Sequence, residues 1–342
     1  MKPLIIPVFI PNHGCPNQCI YCDQTTSIGQ ESLPEPTDIS NIIDAHLKTA
    51  SSHSKPLKYI QVAFYGGTFT GLPFKTQKKY LETIAPFLKS NRVHSVRLST
   101  RPDYIDQQNI DLLKSFSVKT IELGVQSMDN EVLKLSQRGY TARKVEDAAS
   151  LIKENDLELG IQLMPGLPGD TEEKIMDTSC RVCKIKPDFL RIYPTVVIKN
   201  TLLEKLYRKE DYSPLTLNHA ISICKKMLLL FQSHSIPVIR MGLQPTEILL
   251  KPGTIVAGPF HPAFKELVLS SILYDRLHIA IKENLKSKIF TFSVHPSELS
   301  KFLGNKKENI KKLEKEFPDI DILFRQDEGV QHGKFKLSNS LI

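Results

Sequence analysis

Short apolar runs alternate with amphipathic segments between residues 4 and 194, and this alternation constrains the fold more than any other feature. Each apolar run has the length of a strand, and each intervening segment has the spacing of a helix with one buried face. Six such strand-then-helix units predict a parallel sheet, either open or curled into a barrel. The runs are LIIPVFI, YIQVAFY, VHSVRLS, KTIELGV, LELGIQLM and PDFLRIYP.

The pattern changes after Pro194. A long helical segment spans 214–235, IPVIRMGLQP predicts a further strand with its loop, and prolines and glycines between 252 and 262 indicate a joint. The remainder predicts a second long helix and then a small unit of alternating strands and helices. We therefore expect three parts, which are an α/β barrel over 1–245, a helical extension covering the barrel over 246–287, and a small basic α+β unit over 288–342.

The composition is that of a globular protein with an excess of basic residues. The chain has 342 residues, of which 41% are hydrophobic and 24% are charged, so it can bury a large core and is not broadly disordered. The formal net charge of +8 favours a polyanionic partner such as nucleic acid. A basic enzyme without such a partner would show the same charge, so composition leaves both interpretations open.

Cysteine content and hydropathy restrict the compartment. Six cysteines in a chain of this length do not make a disulfide scaffold. The apolar N-terminal run is interrupted by Pro3, Pro7 and Pro11 and lacks a small-residue cleavage site, so we expect a buried strand and not a signal peptide. No apolar stretch approaches the roughly 20 residues that span a bilayer. We therefore expect a cytoplasmic protein that has no membrane partner.

Unusual polar and glycine-rich segments follow successive predicted strands. In parallel α/β folds, the loops at the carboxyl ends of the strands carry the ligand site. Three closely spaced cysteines follow the first strand, YGGTFTG follows the second and STRPD follows the third. Glu122 and Gln126 lie on the fourth strand, two alternations apart, and so point to one face. These segments predict one shared site.

Cys15, Cys19 and Cys22 are the candidate metal ligands. Three thiolates can bind three irons of a [4Fe–4S] cluster and leave the fourth iron open to an external ligand, whereas an ordinary electron-transfer cluster has four cysteines. Zinc is the alternative metal, with His13 as its fourth ligand. The loops that follow the later strands favour the cluster.

The spacing of these cysteines, with Tyr21 directly before the last of them, resembles the radical S-adenosylmethionine (SAM) superfamily. The resemblance implies a partial (β/α)6 TIM-like barrel, a [4Fe–4S] cluster on the three cysteines, and SAM chelated to the open iron. It further implies an external one-electron donor of the flavodoxin or ferredoxin type. The electron cleaves SAM reductively and gives a 5′-deoxyadenosyl radical, which abstracts a hydrogen atom from the substrate.

The same resemblance implies a set of SAM contacts. The glycine loop after the second strand would bind the SAM amino group through its backbone. Gln126 would face the ribose, Arg138 would bind the carboxylate, and the third and fifth strands would add polar contacts. The predicted SAM-binding residues are Tyr21, Gly66, Gly67, Thr68, Ser99, Glu122, Gln126, Arg138 and Gln162.

Longer segments are similar to the radical SAM half of the Elongator catalytic subunit family, which modifies tRNA. They are FYGGTFTGL, TRPDYI, ELGVQSMDNEVL, MPGLPGDT and RIYPTVVIKNT, and they cover most of residues 5–215. In that family the gap between the first two cluster cysteines is longer, and a large acetyltransferase domain follows. This chain ends in a short basic unit and resembles short bacterial Elongator-like proteins that lack this domain. We therefore expect the radical chemistry to carry over and the acetyl-dependent product not to.

The tail predicts a strand, a helix, a GNKK turn, a helix and a strand, which resembles a KH-type core. In that core a GxxG turn contacts the nucleic-acid backbone. Here Gly304 is present, but Lys307 replaces the second glycine. Lysines around the turn can neutralise phosphates, although lysines paired with neighbouring glutamates on a solvated helix would look the same. The predicted RNA-binding residues are Lys301, Gly304, Lys306, Lys307 and Lys311.

The sequence thus predicts a radical SAM enzyme that modifies RNA, with tRNA as the expected substrate. One alternative retains the radical chemistry but acts on a small-molecule or tetrapyrrole-like substrate. Another is a non-catalytic RNA-binding protein that a metal stabilises. Cys180 and Cys183 form a second CxxC pair on a predicted helix, where we expect semi-buried thiols without a metal role.

Overall fold

The computed structural model describes residues 3–10, 13–15, 19–23, 32–51 and 59–340. The chain divides into two compact units. The first, called here the sheet unit, consists of Met1–Thr216 and Met227–Phe260. The second, called the tail unit, consists of Leu217–Lys226 and His261–Ile342.

A seven-stranded sheet forms the centre of the sheet unit. Its order is β1-β2-β3-β4-β5-β6-β8, and every pair of neighbours is parallel. The interior strands are buried almost throughout, as expected for a parallel sheet covered on both faces. The strands are β1 (Leu4–Phe9), β2 (Ile60–Tyr65), β3 (Ser95–Thr100), β4 (Val118–Gln126), β5 (Glu158–Leu163), β6 (Phe189–Ile192) and β8 (Val238–Met241).

Helices follow most of these strands, and several begin at residues that stabilise a helix start. The carboxylate of Asp106 accepts a hydrogen bond from the Asn109 backbone N–H, and the Thr171 hydroxyl accepts one from Lys174 in the same way. The helices of the sheet unit are Pro36–Ser51, Phe74–Lys89, Gln107–Ser115, Asn130–Leu135, Ala142–Glu154, Glu172–Ile185 and Leu202–Arg208, and a longer helix spans Leu217–Ser233.

Two short strands that the sequence did not predict form a separate ladder. Strand β7 (Val197–Ile198) pairs antiparallel with β9 (Ile255–Ala257). A small apolar cluster of Val196, Ile198 and Leu249 lies beside them. The ladder therefore fixes the segment after β8 onto the segment after β6. Among the helices of the described residues, none is long and apolar enough to cross a membrane.

The tail unit has a three-stranded sheet in the order β11-β10-β12. Strand β10 (Ile289–Val294) is parallel to β11 (Asp321–Gln326) and antiparallel to β12 (Phe335–Ser340). The sheet packs on the helices Phe264–Lys282, Leu299–Leu303 and Glu308–Glu316.

One helix of the tail unit was assigned differently by the sequence. Leu273, Leu277 and Ile281 of Phe264–Lys282 lie in the same core as Phe290 and Phe292 of β10. The sequence analysis placed this helix in a separate extension over 246–287. In the structure it is part of the hydrophobic core of the tail unit.

Candidate functional site

A cavity of about 710 Å³ lies among the carboxyl ends of the strands of the sheet unit. Its volume is within the range of small-molecule and cofactor pockets. All the residues that the sequence assigned to the cluster and to SAM line this one cavity, namely Cys15, Cys19, Tyr21, Cys22, Gly66, Gly67, Thr68, Ser99, Glu122, Gln126, Arg138 and Gln162. The structure therefore brings together segments that are far apart in the sequence.

The cavity also has lining residues that the sequence analysis did not assign. An apolar wall comes from β1, and a second group of side chains comes from β6, from β8 and from the loop after β8. The STRPD segment and the RMGLQPT segment signalled some of them, because both follow apolar runs. These additional lining residues include Ile5, Pro7, Phe9, Arg101, Arg191, Tyr193, Arg240, Leu243, Gln244 and Leu249.

The three cysteine thiols all line the cavity. The backbone N–H of Cys22 donates to the carbonyl of Cys19 at 3.0 Å, which turns the chain so that both side chains face the cavity. The sulfur of Cys15 lies 3.2 Å from the Thr68 hydroxyl. Burial, followed by the charges of Cys19 and Cys15, raises the pKa of Cys22 to about 12. Without a metal, this thiol therefore stays protonated at neutral pH.

Two arginines approach the sulfur of Cys19. Nη1 of Arg138 lies 3.0 Å from this sulfur and also donates to the Tyr21 hydroxyl at 3.0 Å, and Nη1 of Arg101 lies 4.0 Å from the sulfur. Burial alone would lower the pKa of Arg138, but Tyr140, Tyr21 and Cys19 raise it well above its ordinary value. Arg138 is therefore a permanent cation, and its remaining donors are bound by Tyr140 and the Gly124 carbonyl.

The glycine loop packs directly on the cysteine loop. A Cβ atom at Gly67 would lie 2.3 Å from the carbonyl oxygen of His13 and 2.4 Å from that of Ile10, so only glycine fits there. The next residue, Thr68, donates its backbone N–H to the His13 carbonyl at 2.9 Å. This contact fixes the glycine loop against the segment that carries Cys15.

Gln126 reaches the cavity through an irregularity of β4. The register between β4 and β5 shifts between Gly124 and Gln126, and the φ angle of Gln126 is +69°. A left-handed backbone is uncommon for residues other than glycine and stores strain, which is typical of binding sites. Its side-chain oxygen accepts a hydrogen bond from Nε2 of Gln162 at 3.3 Å. The two amides therefore act as one polar surface.

Glu122 is bound by side chains of the protein itself. One carboxylate oxygen accepts hydrogen bonds from Arg97 at 3.0 Å, from Arg191 at 3.1 Å and from the Tyr65 hydroxyl at 3.1 Å. The other oxygen lies 2.6 Å from Nε of Arg191, although the Nε–H is not directed at it. Glu122 and Arg97 are buried, with side-chain exposures of 5% and 7%. Glu122 thus lines the cavity as the centre of an ion-pair network.

The donor set of this cavity fits an iron–sulfur cluster better than a single ion. Among the described residues, no group of three His, Cys, Asp or Glu side chains is arranged to hold one metal ion. Thiolates that bind a cubic cluster each take a different iron and surround the cluster, so they do not converge on one point. Three thiols that line one cavity without converging on a single ion site, with cationic Arg138 against one of them, fit that requirement.

The GNKK turn of the tail unit has a fixed backbone. Gly304 has a φ angle of +81°, and a Cβ atom there would lie 2.8 Å from Cγ of Asn309. The Asn309 amide is buried and donates to the Phe302 carbonyl at 3.1 Å. Lys306 and Lys307 have φ angles of +49° and +62°, so Lys307 takes the left-handed conformation that a glycine would favour. The turn keeps a glycine-like backbone and adds two cations.

The predicted RNA-binding lysines differ in their surroundings. The ammonium group of Lys301 donates to Glu298 at 2.7 Å and lies 3.5 Å from Glu266. Within the described part of the chain, no carboxylate pairs with Lys306, Lys307 or Lys311. The charge of Lys301 is thus neutralised within the protein, whereas the turn and the start of the next helix carry uncompensated positive charge.

Comparison with known proteins gives matches to two family models. The Radical SAM superfamily model matches residues 9–179, and the Radical_SAM C-terminal domain model matches residues 187–273. The first match spans half of the chain and contains all the candidate cluster and SAM residues. The protein therefore belongs to the radical SAM superfamily and is a radical SAM enzyme.

The curated relatives include tRNA uridine(34) acetyltransferases and Elongator complex proteins. The chain is 27% identical over 230 residues to the tRNA uridine(34) acetyltransferase of Dehalococcoides mccartyi (strain CBDB1), covering 58% of this chain and 50% of that protein. It is 24% identical over 267 residues to human Elongator complex protein 3, covering 66% of this chain and 49% of that protein. The chain thus spans about half the length of the curated relatives it matches. It is homologous to their radical SAM portion.

A solved structure confirms the fold class. Archaeal Elp3 from Methanocaldococcus infernus superposes with a TM-score of 0.63 at 21% identity, covering 80% of this chain and 63% of that one. The predicted partial barrel of the radical SAM type is therefore confirmed, with β8 as a seventh strand beside β6. The α+β tail unit is compatible with the prediction for that region.

Proposed function

We propose that this enzyme binds a [4Fe–4S] cluster through Cys15, Cys19 and Cys22, binds SAM beside it, and modifies RNA, with tRNA as the substrate. The observation that carries the proposal is the convergence of all the predicted cluster and SAM residues on one cavity of a radical SAM fold. The cofactors would supply reductive cleavage of SAM to a 5′-deoxyadenosyl radical. An electron donor of the flavodoxin or ferredoxin type and a cytoplasmic location, where thiols stay reduced, complete the proposal.

The residues of the chain would position SAM and exclude water. The backbone of Gly66–Thr68 and the polar side chains of Ser99, Gln126 and Gln162 line the region next to the cysteines. Ile5, Pro7 and Phe9 of β1 form an apolar wall that has no hydroxyl or amide groups in its side chains. Such a wall would limit side reactions of a reactive intermediate.

Three observations support RNA as the substrate. The chain carries a formal net charge of +8. On a backbone fixed by Gly304, the GNKK turn presents Lys306 and Lys307, which pair with no carboxylate of the described residues. Relatives at 24–27% identity have names that refer to tRNA uridine modification. A basic turn of this kind suits phosphate contacts of the KH type.

SAM cleavage tests the catalytic part of the proposal. The full chain would be purified and reconstituted anaerobically with iron and sulfide, then mixed with dithionite and SAM. We expect release of 5′-deoxyadenosine, measured by liquid chromatography with mass spectrometry. A protein that binds iron but releases no 5′-deoxyadenosine, with or without total tRNA, would leave the non-catalytic alternative.

Substrate identity is tested by nucleoside analysis. Total tRNA from cells with and without the gene would be digested to nucleosides and compared by mass spectrometry. We expect one modified nucleoside to be lost in the deletion strain and restored by the wild-type gene. Unchanged nucleosides in tRNA and in ribosomal RNA would favour a small-molecule substrate.

Replacing both turn lysines, Lys306→Ala with Lys307→Ala, should weaken RNA binding and its dependence on salt. Each lost phosphate contact lowers the slope of log affinity against log salt by about 0.7 to 0.9, so the pair should lower it by about 1 to 2. The measurement is fluorescence anisotropy of a labelled tRNA at several salt concentrations. 5′-Deoxyadenosine release without RNA should be retained, since the turn lies in the tail unit.

A charge-matched control separates the turn from the overall basic charge. Lys78→Ala with Lys79→Ala removes two exposed lysines from the helix Phe74–Lys89, where they pair with Glu82 and Glu35. This double variant should bind RNA like the wild type. If both double variants weaken binding equally, the turn is not the site and only net charge acts.

A further inference from the structure

We propose that the wall of the cavity formed by β6, β8 and the loop after β8 binds an anionic group of the substrate, a carboxylate or a phosphate, through Arg240. The residues of this wall are Arg191, Tyr193, Arg240 and Gln244. The inference rests on the proposed function only in calling the bound molecule the substrate. The ionic character of the wall is a property of the side chains themselves.

The charged side chains around the cavity are mostly cationic. Among the described residues, four arginines line it, Arg101, Arg138, Arg191 and Arg240, against a single lining carboxylate, Glu122. Carboxylates or thiols of the chain contact the first three of these arginines. Asp103 binds Arg101 through two nitrogens at 2.9 and 2.8 Å, Cys19 lies against Arg138, and Glu122 lies against Arg191.

Arg240 differs from the other three. Its Nη1 donates to the side-chain oxygen of Gln244, a neutral group. Within the described residues no carboxylate pairs with Arg240, and the side chain is only half-buried. The two acids near Arg97 and Arg191, Glu122 and Glu158, already balance those two arginines. Among the described residues that line the cavity, Arg240 is therefore the one arginine that contacts neither a carboxylate nor a cysteine sulfur.

Arg240 lies on a different part of the cavity lining from the predicted SAM contacts. Arg191 and Arg240 are paired across the parallel strands β6 and β8, and both side chains line the cavity. The predicted SAM contacts come from β2 to β5 and the segments that follow β1 and β4. The β6–β8 wall is therefore the part of the lining that the cluster and SAM leave for another molecule.

The side chain of Arg240 has the chemistry of an anion-binding group. A guanidinium carries a permanent charge and presents paired N–H donors that match a carboxylate or a phosphate. In a partly desolvated cavity such a cation gains most from an anion, because water no longer screens it fully. Leu243 and Leu249 on the same loop would contact an apolar part of the same molecule. A neutral substrate would form no ion pair with Arg240.

The test measures anion binding by the reconstituted full-length protein with isothermal titration calorimetry. The probes are uridine, uridine 5′-monophosphate, malonate and inorganic phosphate. We expect at least one anionic probe to bind, and Arg240→Gln to weaken that probe about tenfold or more, as loss of a charge-assisted hydrogen bond predicts. Arg240→Lys, which keeps the charge but not the paired donors, should have an intermediate affinity.

The probes distinguish the source of the anion. Preference for uridine 5′-monophosphate over uridine indicates a nucleotide phosphate, whereas preference for malonate indicates a carboxylate substrate. Arg143→Gln is the control, because Arg143 is exposed on the helix Ala142–Glu154 and pairs with Asp147. The Arg143→Gln protein should bind every probe like the wild type. A wild-type protein that binds no anionic probe at millimolar concentration overturns the inference, as does an Arg240→Gln variant with unchanged affinity.

The outcome is separable from that of the proposed function. 5′-Deoxyadenosine release by the wild type is measured in a different assay and needs none of the four probes. Arg240-dependent anion binding in a protein that never cleaves SAM would retain this inference and reject the proposed function. SAM cleavage without Arg240-dependent anion binding would retain the proposed function and reject this inference.

Discussion

Cys19→Ala is expected to abolish 5′-deoxyadenosine release and to reduce cluster content. Cys19 is buried, lines the cavity and is the thiol that Arg138 and Arg101 approach. In the proposed site, loss of this sulfur would leave one iron of the cluster without its protein ligand and would remove the sulfur that Arg138 contacts. Iron and sulfide analysis with visible absorption of the anaerobically reconstituted protein measures the cluster directly. Product analysis measures the activity.

Cys180→Ala is the matched control for this prediction. Cys180 is an exposed cysteine on the helix Glu172–Ile185, and it is not among the residues that line the cavity. It should load iron and cleave SAM like the wild type. A Cys19→Ala protein with wild-type iron content and activity would show that the cysteine triplet does not bind the cluster. A Cys180→Ala protein that loses its cluster would show that the metal had been assigned to the wrong cysteines.

The main strands and helices were predictable because their signals are local. The run LIIPVFI became β1 and YIQVAFY became β2, each within one or two residues of the predicted range. The candidate cluster and SAM residues could be grouped because parallel strands bring their carboxyl ends to one edge. That rule needs only the positions of the strands along the chain, which the sequence shows directly.

Features that depend on distant pairing were not predictable. The β7–β9 ladder joins Val197–Ile198 to Ile255–Ala257, and neither segment has the length or alternation of an isolated strand. The helix Phe264–Lys282 is apolar on more than one side, so its sequence does not show which sheet it packs on. Its assignment to the core of the tail unit required the structure.

The pairing of charged side chains was the other feature that the sequence did not predict. The sequence shows that Lys301 lies near the GNKK turn, but not that Glu298 and Glu266 neutralise it. It shows an arginine in RMGLQPT, but not that no carboxylate of the described residues pairs with Arg240 at the cavity. Counter-charges come from other strands and helices, so the net charge of a site follows only from the folded chain.

The ion pairs of Glu122 were likewise not predictable from the sequence. Substitution of Glu122 is expected to cause a large loss of stability. Glu122→Gln should destabilise the sheet unit by about 3 to 5 kcal/mol, the usual cost of removing one partner of a buried ion pair. The carboxylate lies between Arg97 and Arg191 with 5% exposure, so the variant leaves buried positive charge with less compensation. Urea unfolding followed by circular dichroism measures the loss. Hydrogen exchange of peptides from β3, β4 and β6 should locate it.

The control for Glu122→Gln is Glu82→Gln. Glu82 pairs with Lys78 at 3.8 Å on a helix surface, where both side chains are 55% exposed, so its substitution should change stability by less than about 1 kcal/mol. The comparison also separates two roles for Glu122. If its carboxylate mainly binds SAM, Glu122→Gln would weaken SAM binding and leave urea unfolding as in the wild type. Because both oxygens already contact arginines of the protein, we expect the opposite order of effects, with stability lost first and SAM affinity changed only as the β4 backbone loosens.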